Sequence, residues 1–239
     1  RQRQMCIRDR SGTITISAGT INTAELKTIS DATSGAITLP STNFTLSGAS
    51  SDLADALSGN FTNYAGNVTL TDAAPSVANL AIINNKTAGT ITLNDDSATF
   101  SGTTADVAAA FSGGLVGTQD GAVTLTDTTG TIAATTLTGI TAQTTGAVGL
   151  ASGGPTIQGS TSEITAALVG AGRITAGAIK VDFTDNPTAA ELSAINTKTS
   201  GTITLHSDSQ TFSGTASDLA GAFNGGLVLS LIHISEPTR

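Results

Sequence analysis

TAAELSAINTKTSGTITLHSDSQTFSGTASDLAGAFNGG, residues 188 to 226, is the clearest of four copies of one pattern. A glycine closes the first half of each copy, at Gly35, Gly89, Gly146 and Gly201, in steps of 54, 57 and 55 residues. Nine residues before it stands Leu26, Leu80, Leu137 or Leu192, and six before it Ile29, Ile83, Ile140 or Ile195. Thirteen residues after it comes a second glycine, at Gly48, Gly102, Gly159 and Gly214. Four further on is an acid, Asp52, Asp106, Glu163 or Asp218, and then a branched apolar residue, Leu53, Val107, Ile164 or Leu219. Self-similarity at a fixed period is the signature of a repeat architecture. The small length differences fall in linkers, which tolerate them. The copies are residues 11–66, 67–121, 122–177 and 178–228, the last cut short.

Within a copy, strand and helix patterns alternate. Ile14 and Ile16 alternate with Thr13 and Thr15, and Val68-Thr69-Leu70 does the same, a period of two that predicts a strand. The main strands centre on Ile16, Leu39, Leu70, Leu93, Leu125, Leu150, Val181 and Leu205, with Phe44 to Gly48 a small extra one. Asn22 with Glu25, Thr103 with Asp106, Ser160 with Glu163, Thr188 with Glu191 and Thr215 with Asp218 have the spacing of helix N-caps. Strands joined through helices favour parallel pairing by right-handed crossovers. The expected fold is α/β: an open right-handed solenoid of tandem βα units, about 55 residues per double unit, with a parallel sheet on one side and short helices on the other. A chain of separate α+β or immunoglobulin-like domains is the alternative.

The two ends stand outside the pattern. Residues 229–239, LSLIHISEPTR, and residues 1–9, RQRQMCIRD, each resemble a translated sequencing-library adapter. The two agree with each other: ATGTGTATAAGAGACAG, which encodes Met5 onward, is the reverse complement of CTGTCTCTTATACACAT, which encodes Leu229 onward. Residues 1–10 and 229–239 are therefore expected to be adapter-derived, which leaves an interior window, 11–228, of a longer gene. That window holds no cysteine, because Cys6 is the only one, and it keeps one histidine, His206.

The window carries five basic residues against sixteen acidic, a formal charge of −11. Phosphate binding needs clustered Lys and Arg, so nucleic acid is not an expected partner. No apolar run approaches the roughly 20 residues of a membrane span. The absence of cysteine excludes a disulfide framework and thiolate metal sites.

Residues 123–148, VTLTDTTGTIAATTLTGITAQTTGAV, and residues 211–223, TFSGTASDLAGAF, resemble repeats of very large surface or secreted proteins of marine cyanobacteria and other bacteria, of β-strand-repeat or adhesin-like type. The resemblance implies export and an extracellular or cell-surface role. The expected function is non-enzymatic, structural or adhesive, with surface glycans or neighbouring copies of the protein as expected partners. The calcium nonapeptide of haemolysin-type repeats is absent: Gly113-Gly114, Gly153-Gly154 and Gly225-Gly226 lack the following Gly-x-Asp.

Three residue sets invite a site. Asp72, Asp95, Asp96, Asp127, Asp182, Asp185 and Asp208 follow strands, where loops could converge on calcium, which takes six to eight oxygens. The same acids suit turns and helix caps. Thr15, Thr38, Thr69, Thr92, Thr124 and Thr204 could form a ladder for glycans, ice or another sheet, or serve only β-propensity. His206 lies near Ser207, Asp208 and Ser209, but a triad needs a defined geometry that sequence neighbours do not supply, and the histidine reads as a surface residue. No phosphate loop, zinc signature or nucleophile elbow occurs. No catalytic residue and no cofactor is expected, with calcium the one candidate ion. A calcium-dependent binding module and the flank of a secreted enzyme are the alternative functions.

Overall fold

The computed structural model describes residues 11–17, 21–39, 45–62, 64–170, 172–175, 177–207 and 209–228. Both adapter-like ends, Phe44 and Asp208 lie outside them. The chain divides into two compact units, one running to Leu125 and adding Ala142–Ala147, the other made of Thr126–Thr141 and Val148 onward.

In the first unit the order is β1 (Ile14–Thr15), α1 (Thr23–Asp31), β2 (Ile37–Thr38), β3 (Thr45–Gly48), α2 (Ser50–Leu57), β4 (Asn67–Leu70), α3 (Val77–Lys86), β5 (Ile91–Thr92), β6 (Phe100–Gly102), α4 (Thr104–Phe111) and β7 (Val123–Leu125). The second unit opens with β8 (Thr131–Ala133) and continues with α5 (Ala134–Gln143), which spans the boundary. Then follow β9 (Val148–Leu150), β10 (Thr156–Gly159), α6 (Thr161–Thr165, prolonged by a π turn at Ala166–Gly170) and β11 (Ile174–Thr175). The unit ends with β12 (Lys180–Phe183), α7 (Ala189–Asn196), β13 (Ile203–Thr204), α8 (Ala216–Phe223) and β14 (Leu227–Val228).

Strands and helices thus alternate, and the strand pairs are parallel. Among the described residues no sheet closes into a barrel. Paired residues lie 22 to 26 positions apart, from Thr45↔Asn67 to Ile174↔Val148. That step is the chain needed to leave a strand, form a helix and return one strand over.

The step explains where the pairing departs from the spacing of the main strands. β1–β2, β4–β5 and β12–β13 pair as neighbours in sequence. Leu39 and Leu70 lie 31 apart, too far for one step, and their strands do not pair. The small strand β3 takes β4 instead, and β6 takes β7 and β10 takes β12 in the same way. The extra strands are therefore full sheet members. Ile37 and Ile91 find further partners in Phe61 and Leu115, positions the alternating pattern did not mark.

Each unit buries its own apolar set. In the first, Ile37, Leu46, Val68, Leu70, Ile91, Phe100 and Val123 from strands meet Leu26, Leu53, Leu80, Ile83 and Val107 from helices. In the second, Ile157, Val181, Phe183 and Ile203 meet Ile164, Leu192 and Ile195. The Leu and Ile at fixed offsets before the anchor glycine are thus core residues, Ile29 excepted, which is only half-buried. Successive helices touch, α1 to α2, α2 to α3 and α3 to α4 in the first unit, α6 to α7 and α7 to α8 in the second. Helices of 8 to 10 residues are marginal alone, so this packing is what holds them.

The anchor glycine exists for a close backbone approach. A Cβ on Gly35 would lie 2.1 Å from the Gly12 carbonyl oxygen, on Gly89 2.1 Å from that of Gly66, on Gly146 2.2 Å from that of Gly121, and on Gly201 2.0 Å from that of Ile179. No side chain fits there, which is why the position reads Gly in all four copies.

Candidate functional site

The anchor glycine works with a threonine two residues earlier. Thr33 accepts the Gly35 N–H at 3.0 Å, and Thr144 accepts that of Gly146 at 2.9 Å while its own hydroxyl donates to the Gly121 carbonyl at 2.9 Å. Thr87 accepts from Gly89 and donates to Gly66, and Thr199 accepts from Gly201 and donates to Ile179. All four threonines are buried. In the last three copies one hydroxyl thus ties the turn to the start of the strand before it, as a buried polar group requires. This Thr-x-Gly signal was present in the sequence at all four copies and went unread there.

Helix starts are the second recurring polar device. Asn22, Ser160 and Thr188 form capping boxes with Glu25, Glu163 and Glu191. Thr103 and Thr215 accept the backbone N–H of Asp106 and Asp218, and their hydroxyls donate to the same shorter acids at 2.7 Å. The capping pairs read from spacing are all formed. α2 has no cap of its own, since Ala49 precedes it.

Two calcium candidates serve helix starts from a neighbouring coil, Asp72 in place of the missing α2 cap and Asp185 beside the Ser160 cap of α6. Asp72 accepts the Ser50 N–H at 3.0 Å and the Ser50 hydroxyl at 2.6 Å. Asp185 accepts the Thr161 N–H at 2.7 Å and its hydroxyl at 2.6 Å. A carboxylate there meets both a free backbone donor and the positive helix end. Asp127 is also engaged. Asp182 accepts the Gln158 amide at 2.7 Å, across β10 and β12. Asp95 closes a tight turn, accepting the Ser97 N–H at 2.9 Å and hydroxyl at 2.6 Å; these bonds, hydroxyl first, hold its carboxyl below the usual range. Asp96 is exposed, and its backbone carbonyl accepts from Asp120. Among the described residues no three acidic, histidine or cysteine side chains are grouped as a metal site needs, and Asp208 lies outside them.

The threonine row is broken into short ladders. Thr15 faces Thr38, Ser47 faces Thr69 and Thr69 faces Thr92, and Ser101 faces Thr124. In the second unit the row reads Gln158, Asp182, Thr204. These are exposed or half-buried side chains repeating at the strand spacing of about 4.8 Å. They offer hydroxyl, amide and carboxylate groups for hydrogen bonding. His206 is exposed, and the flanking Ser207 and Ser209 hydroxyls lie 3.1 Å from one another. A polar groove of about 450 Å³ lies beside them, with Asn186, Thr188, Gln210 and Phe212 on its walls.

Polar residues inside the core complete the inventory. Asn84 on α3 donates to the Ala109 carbonyl at 2.9 Å, and Asn196 on α7 donates to that of Gly221 at 2.9 Å, each tying a helix to the next. Tyr64 and Gln119 occupy matching places, bridged to Thr87 and Thr144. Burial raises the Tyr64 phenol to about 12, against a smaller opposing effect of its hydrogen bond with the Leu46 backbone. Gln119 is fully buried and neither amide atom has a hydrogen-bond partner.

Compared with known proteins, the chain matches no family model, no curated protein and no solved structure.

Proposed function

We propose that this chain is a non-enzymatic structural or adhesive repeat segment of a very large extracellular or cell-surface bacterial protein. The observation that carries the reading is the use made of the recurring residues. Leu, Thr and Gly at the fixed offsets, and in three copies the acid after the second glycine (Asp106, Glu163 and Asp218), bury, tie one coil to the next or cap a helix. A sequence whose repeated polar positions hold backbone together is built for extension and persistence. On this reading the copies at 11–66, 67–121, 122–177 and 178–228 stack as an open right-handed solenoid, about 55 residues per double βα unit, sheet on one side and helices on the other. Its exposed hydroxyl ladders would meet surface glycans or neighbouring copies of the protein. The acidic, cation-poor surface suits a salt-water exterior.

The test is to sequence the parent locus outward from both ends of the window. Flanks that continue the period and lead to an export signal support the role. Flanks that stop within one copy and adjoin a catalytic domain make the segment an enzyme's accessory and end the proposal.

A further inference from the structure

We draw no further inference here: the strongest candidate, the uncharged hydroxyl face that Ser47, Thr69 and Thr92 form across the β3–β4–β5 sheet, is an unpartnered sheet face only three strands wide, and nothing in the structure shows what covers it.

Discussion

Replacing Thr144 by valine tests whether the buried hydroxyls hold successive coils together. Valine nearly matches threonine in shape, so packing is kept and one oxygen is lost. That oxygen accepts the Gly146 N–H and donates to the Gly121 carbonyl, both at 2.9 Å, and Thr144 is fully buried. Each neutral hydrogen bond contributes about 0.5–1.5 kcal/mol net, and a buried group left without a partner costs about 1–3 kcal/mol. The expected loss is about 2–3 kcal/mol. In a urea titration with a slope near 2 kcal/mol/M, this lowers the midpoint by about 1 M at unchanged slope. Thr124→Val, at an exposed strand position in the same unit, is the control, with an expected change within about 0.5 kcal/mol. If Thr144→Val costs no more than Thr124→Val, the hydroxyl is not a tie, and the role given to Thr87 and Thr199 falls with it.

Two glycines should answer alanine in opposite ways. Gly146→Ala places a methyl against the Gly121 carbonyl and is expected to cost more than about 3 kcal/mol, whereas Gly139→Ala, in an exposed part of α5 with open space around it, is expected to gain about 0.5–1 kcal/mol; thermal melts of both variants decide the matter. Gln119→Leu removes two buried atoms that lack partners and is expected to raise stability by about 1–3 kcal/mol, read as a higher urea midpoint. Asp72→Ala is expected to cost about 0.5–2 kcal/mol through the lost α2 cap, and its melting temperature is compared with and without calcium: a calcium-induced rise in the parent that this variant loses would make Asp72 an ion ligand. Tyr64 titrates at about 12 when folded and near 10 when unfolded, so the stability it contributes is complete below pH 10 and is lost as pH rises from 10 to 12. That amounts to about 3 kcal/mol, and Tyr64→Phe should flatten this part of the stability profile.

The apolar frame of the fold was legible because periodicity reports burial directly. Leu26, Leu80, Leu137 and Leu192 sit at one offset and all four are buried. The helix caps were legible because their partners lie three residues away. What the sequence hid was long-range. The role of Asp72 depends on Ser50, 22 residues earlier, and nothing local marks that meeting. Read alone, such an aspartate after a strand suggests a cation loop as well as a cap. The pairing of β3 with β4 was hidden for a related reason. Alternation identifies a strand, but which strand it joins depends on how many residues a crossover consumes. Thr33, Thr87, Thr144 and Thr199 were concealed by composition, because threonine is abundant throughout the chain and a buried one looks like an exposed one.

Parallel strands joined at a step of 22 to 26 residues are the basis of every reading above. Disulfide trapping between β4 and β5 tests that register most directly. Thr69 and Thr92 are partners across the two strands, on an accessible face. Neighbouring strands lie about 4.8 Å apart, within the Cα separations a disulfide spans. In a Cys6→Ser background, Thr69→Cys with Thr92→Cys is expected to close an intramolecular bond, while Thr69→Cys paired with a cysteine at Asn94 is expected to stay reduced under the same oxidant. Trapping only of the shifted pair, or of neither, would contradict the parallel register and return the chain to the alternative of separate α+β or immunoglobulin-like domains.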